Sequence, residues 1–151
     1  MPPFCPPKVT ESRAKTAPPL SFEEETAQRI ERSRRLALQA GIAGMDKKAL
    51  AVEIIDVTGK VDYADFLVLM TGTSDRHCSA IADEVERQLA LSGDKALGVE
   101  GKGAEWVLLD FFDVVVHVFS EGARDLYDIS GLWLDAGRVP VPVREARKDI
   151  N

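Results

Sequence analysis

The run Phe66-Leu67-Val68-Leu69-Met70 places five apolar residues in succession between Asp65 and Thr71-Gly72. Alternate side chains of a strand take opposite faces, so a run like this is buried on both sides and belongs at the centre of a sheet. The strand reads as Tyr63 to Thr71, with a second Val- and Ile-rich strand from Ala51 to Val57. Thr71-Gly72-Thr73-Ser74 then ends the strand and starts a helix, with Ser74 as N-cap, Asp75 in the first turn and Gly93 as the stop. Along it Cys78, Ile81, Ala82, Val85 and Leu89 recur at helical spacing as one buried stripe, while Asp83, Glu84, Glu86 and Arg87 face water. Upstream, Ser21 and Glu24 have capping-box spacing, and Glu23-Glu24-Glu25 suit the positive end of a helix dipole. The spacing predicts a helix from Phe22 to about Ala40, stopped by Gly41 and Gly44. Strands alternating with helices in this way predict an α/β fold.

After Gly93 a short strand near Leu97–Glu100 leads through Gly101-Lys102-Gly103 into two further strands, Trp106–Phe111 and Val114–Phe119. They read as a hairpin about Phe112-Asp113. A two-residue loop pairs Trp106 with Phe119, Leu108 with His117 and Asp110 with Val115. One face is then Val107, Leu109, Phe111, Val114, Val116 and Val118, wholly apolar and destined for the core. The other carries Trp106, Leu108, Asp110, Val115, His117 and Phe119. Tryptophan is prominent in binding hot spots, so Trp106 is a candidate contact residue; equally, another helix covers this face and Trp106 is ordinary core. His117 either contacts a partner or hydrogen-bonds Asp110 diagonally across the hairpin. A helix at Glu121–Tyr127 follows.

At 151 residues the chain suits one domain. Its organisation reads as a Pro-rich tail over 1–20, an N-terminal helix over 21–48, an α/β domain over 49–136 and a fraying C-terminal tail over 137–151. No apolar run reaches the ~20 residues of a bilayer crossing, and the N-terminus lacks the pattern of a secretory or mitochondrial leader. Cys5 and Cys78 form neither a disulfide framework nor a metal spacing, which suits a reducing cytoplasm. Net charge is −6, unevenly spread. Residues 50–135 carry 17 acidic and 6 basic side chains, a net of −11; the flanks carry the other 8 acidic and 13 basic ones, a net of +5. Phosphate backbones repel so acidic a core, which argues against direct nucleic-acid binding and for either a basic protein partner or simple solubility. Arg29, Arg32, Arg34 and Arg35, interleaved with Glu31, read as a solvated helix face.

Catalytic readings are weaker. A helix N-terminus after Gly72 can hold an anion, but neither a P-loop nor a dinucleotide fingerprint is present, and capping by Ser74 explains the motif. Nucleotidyl transfer through Gly72, Ser74 and Asp110 would want closely spaced carboxylates for two metal ions; Asp110 and Asp113 instead flank a turn. Cys78 on a buried stripe is an inert thiol. No cofactor is expected.

Asp65-Phe66, Thr71-Gly72-Thr73-Ser74 with Arg76-His77, Ile81-Ala82-Asp83, Glu100-Gly101, Trp106-Val107-Leu108-Leu109-Asp110, Asp113-Val114-Val115-Val116-His117-Val118, Leu126-Tyr127 and Leu132-Trp133 together form an ordered series. That series, from about Ala49 to Trp133, resembles the signature of the ribosomal silencing factor (RsfS, Iojap) family. The resemblance implies a nucleotidyltransferase-like mixed α/β fold without transferase chemistry. It also implies docking on the large-subunit ribosomal protein numbered fourteen, blockage of subunit joining, repression of translation, and homodimers when free. The partner-binding residues then expected are Trp106, Leu108, Asp110, Asp113, His117 and Glu100. A nucleotide-binding enzyme and a dimeric scaffold without a ribosomal partner are the alternatives. One departure is Phe112, which stands where the family usually carries glycine; a two-residue turn of the favoured types needs positive φ, which strains Phe.

Overall fold

The computed structural model describes residues 21–142, so Cys5 and most of both expected tails lie outside it. Ten elements follow one another: α1 (Phe22–Asp46), β1 (Leu50–Asp56), β2 (Phe66–Gly72), α2 (Asp75–Leu91), β3 (Gly98–Glu100), β4 (Trp106–Asp110), β5 (Val114–Ser120), α3 (Glu121–Tyr127), α4 (Ile129–Leu132) and β6 (Gly137–Val139). The six strands form one mixed sheet in the order β3-β4-β5-β2-β1-β6. Among the described strands only β2 and β5 run parallel. β2 lies inside the sheet with every residue buried, as its unbroken apolar run requires.

Helices α1 and α2 cover one face. There Ala37, Ala40 and Ala43 of α1 and the Cys78, Ile81, Ala82, Val85, Leu89 stripe of α2 meet Phe66, Val68 and Met70 of β2 and the apolar face of the hairpin. The capping box forms: Ser21 Oγ accepts from Glu24 N–H at 3.1 Å, and Ser21 N–H donates to Glu24 Oε1 at 2.9 Å. Gly41 and Gly44 do not end α1, which runs on to Asp46. Both are buried within it, and a Cβ on Gly44 would collide with Met70 Sδ. Glycine in a helix costs about 1 kcal/mol against alanine; here it lets the helix approach the central strand closely. Glu84, expected in water, has a side chain only 12% exposed. Hydrogen bonds from Arg87 and Gln88 hold its carboxyl at a pKa of about 2.

β2 starts at Phe66 rather than Tyr63, because Asp65 and Phe66 both give their N–H to the Asp113 carbonyl, at 2.7 and 3.3 Å. The chain does not fray at residue 137 either. Gly137–Val139 pair antiparallel with β1, and Arg138 binds Glu53 Oε2 through Nε at 2.8 Å.

The second face of the sheet is covered more thinly. Ile55, Val57, Leu67, Leu69, Val115 and Phe119 pack there with Ala123 and Ala136, flanked by Trp106, Leu108, Ile129 and Trp133. Among the described residues its helical cover is α3 and α4, of seven and four residues. That is too little to roof six strands.

Candidate functional site

Because the second face is incompletely roofed, a groove of about 670 Å³ opens along β4 and β5. Leu67, Trp106, Leu108, Asp110, Val115 and His117 line it from the sheet; Ile129, Leu132 and Trp133 from α4 and its end; Asp62, Tyr63, Phe112 and Asp113 from the loops. These residues include three carboxylates and no lysine or arginine. Tyr63, Phe112 and Leu132 are exposed large hydrophobic side chains. The site is an open, apolar and aromatic depression with an acidic margin.

The predicted hairpin register holds throughout, with Trp106 opposite Phe119, Leu108 opposite His117 and Asp110 opposite Val115. Alternation therefore brings Trp106, Leu108, Asp110, Val115 and His117 onto the groove face together. Trp106 is half-buried, with its ring 4.4 Å from that of Tyr127 in α3 and 5.1 Å from Phe119. It is thus partly covered and partly open, between the two readings the sequence allowed.

His117 does not bond Asp110. Its Nδ1 accepts from Trp106 Nε1–H at 3.1 Å, because a half-buried indole N–H needs an acceptor and the register puts one beside it. The proton therefore resides on Nε2, and burial pushes the imidazole pKa down to about 4. Asp110 Oδ1 instead accepts from Phe112 N–H at 2.9 Å. Asp113 lies 3.6 Å from Arg29 Nη1, and the same guanidinium pairs with Asp65. Burial pushes the Asp65 carboxyl up, against the opposing pull of Arg29. Arg29 is therefore not simply solvated: it ties α1 to the start of β2 and to the hairpin turn.

Glu100 stands apart from the other expected contacts. It is exposed on β3 opposite Leu108, and it lines a shallower depression with Gly101, Trp106 and Leu108. Sequence reasoning also passed over Asp62 and Ile129, although Ile129-Ser130-Gly131-Leu132-Trp133-Leu134 is apolar in a stretch too short to bury itself.

The turn before α2 is tied together by internal hydrogen bonds. Thr73 N–H donates to His77 Nδ1 at 2.9 Å, His77 N–H to Ser74 Oγ at 3.1 Å, and Cys78 N–H to the Ser74 carbonyl at 2.9 Å. His77 Nε2 in turn bonds the Lys47 carbonyl at 2.7 Å, joining this turn to the end of α1. Asp110 is no neighbour of this turn. It pairs with Val115, which aligns with Leu67, whereas Gly72 lies five residues further along β2, roughly 16 Å at ~3.3 Å per residue. Gly72 serves packing: a Cβ there would stand 2.8 Å from Cys78 Sγ and 3.0 Å from Cys78 N.

The family model described as "Ribosomal silencing factor during starvation" matches residues 30–151. The chain belongs to the ribosomal silencing factor family. Ribosomal silencing factor RsfS of Bacillus subtilis is 39% identical over 98 residues, covering 64% of this chain and 83% of that protein. The Haemophilus influenzae factor of the same name is 37% identical over 79 residues, covering 52% of this chain and 78% of its own length. In three dimensions the chain is similar to the crystal structure of a Chromobacterium violaceum protein. The TM-score is 0.65 at 33% identity, over 74% of this chain and 92% of that one. A Bacillus halodurans structure matches with a TM-score of 0.63 at 34% identity, over 72% of this chain and 99% of the other. As a member of this silencing-factor family the protein is a ribosomal silencing factor, a regulator by name. Among the described residues no helix is long and apolar enough to cross a membrane.

Proposed function

We propose that this silencing factor docks on the large ribosomal subunit, through its ribosomal protein number fourteen, and sterically blocks association of the small subunit, so repressing translation. The observation that carries this reading is the groove. An apolar, aromatic depression with a margin of Asp62, Asp110 and Asp113 suits a basic protein surface that also offers apolar side chains. Trp106, Leu108, Asp110, Asp113 and His117 form the contact face, with Glu100 at its edge. Free copies pair as homodimers in the cytoplasm, and the protein acts by occupancy, without catalysis or cofactor. An enzymatic reading through Gly72, Ser74 and Asp110 finds no support in the separation of Asp110 from the turn, or in Ser74 Oγ, which caps α2 by accepting from His77 N–H.

Sedimentation with separated ribosomal subunits tests the proposal. Co-sedimentation with the large subunit is expected, together with fewer joined ribosomes when the small subunit is added. Binding to neither subunit, or to the small one alone, overturns it. Trp106→Ala should weaken binding at least tenfold while the domain stays folded.

A further inference from the structure

The hairpin turn between β4 and β5 carries two costs at one residue. Phe112 has φ +80°, a region that favours glycine, and its side chain is 68% exposed. The strain is local and well defined: Asp113 N–H donates to the Phe111 carbonyl at 3.1 Å, closing a γ-turn centred on Phe112. Strained conformations persist only where the surroundings over-determine them. Here Asp110 Oδ1 accepts Phe112 N–H, the Asp113 carbonyl accepts from Asp65 and Phe66, and Arg29 lies against the Asp113 carboxylate. None of these interactions uses the phenyl ring. The fold would be served as well or better by glycine, so the ring calls for an explanation outside the fold.

We infer that Phe112 is a specificity-determining contact residue, its ring held out by the strained turn to take a basic side chain of the partner. The inference rests on the proposed docking through the groove. Phe112 lines both the groove and the adjoining cleft against α1, so it forms a ridge between them. It is flanked in the chain by Asp110 and Asp113. The cleft side of the ridge carries Arg29, Arg32 and Arg35, whereas the groove side carries Asp62 and Asp110, so an arginine or lysine approaching from the groove packs its aliphatic stem and cation on the ring while its charge faces those two carboxylates.

Two variants separate this role from a structural one, with unfolding midpoints and co-sedimentation with separated large subunits read on each. Phe112→Gly should raise the midpoint, because glycine accepts the positive φ, yet weaken binding about tenfold or more. Phe112→Ala, which keeps the strain and removes the ring, should weaken binding as much without raising the midpoint. Wild-type affinity in either variant overturns the inference and leaves docking standing. Failure of the wild-type protein to co-sediment overturns the docking proposal and this inference together.

Discussion

The imidazole of His117 accepts from Trp106 Nε1–H and lies stacked on Phe119 at 5.7 Å, so it is held neutral at the groove floor. Its pKa of about 4 when folded compares with about 6.5 when unfolded. Between those values the unfolded chain binds more protons, so this residue's contribution to stability is full above pH 6.5 and is lost as the pH falls towards 4. The loss amounts to roughly 3 kcal/mol between pH 7 and pH 4. Urea unfolding of wild type and His117→Gln at both pH values should show the wild type losing the greater stability on acidification; equal losses would mean the ring is not buried neutral. At Gly72 the prediction concerns space. Gly72→Ala should cost about 1–3 kcal/mol, seen as a lower urea midpoint, because the added methyl meets the Cys78 backbone as well as its thiol.

Glu53 of β1 gathers the elements behind the groove. Its Oε1 accepts from Arg124 Nη2 at 3.0 Å and Ser130 Oγ at 2.6 Å, and its Oε2 from Arg138 Nε at 2.8 Å, so one carboxylate fastens α3, α4 and β6. Burial pushes its pKa up, but the Ser130 and Arg138 hydrogen bonds and the charges of Arg138 and Arg124 prevail and hold it below the usual range. Glu53→Ala should therefore loosen this side of the molecule first. Amide exchange at residues 129–139 should rise well before exchange in β2, and uniform acceleration would argue against a local fastening. This network left no trace in the sequence, since Glu53 and Arg124 are 71 residues apart and ion pairs have no periodicity. The hairpin register and the α2 stripe were legible because each follows from one repeat, of two or of 3.6 residues. The far end of α1 was misread because Gly41 and Gly44 carry the ordinary signature of a helix stop; that they pack against β1 and β2 depends on residues far along the chain. The groove itself was half legible. Alternation gave its floor, whereas its walls come from Asp62, Tyr63 and Ile129, which only the fold brings there.

Charge acts at the scale of the whole molecule. The net of −11 over residues 50–135 is a long-range field that favours encounter with a basic surface, and salt screens it within a Debye length of about 10 Å at 0.1 M. Association with large subunits should slow markedly between low and moderate salt, while dissociation changes less; a salt-independent association rate would remove electrostatics from the encounter. The two ends of the sheet set a different limit on what the molecule can meet. Among the described residues β3 and β6, the outermost strands, are three residues each, so they offer a neighbouring chain little backbone to pair with. Short outer strands disfavour recognition by added strands. Recognition through side chains on the groove face suits such a sheet better, and a partner chosen in that way can be changed by point substitutions without disturbing the strands.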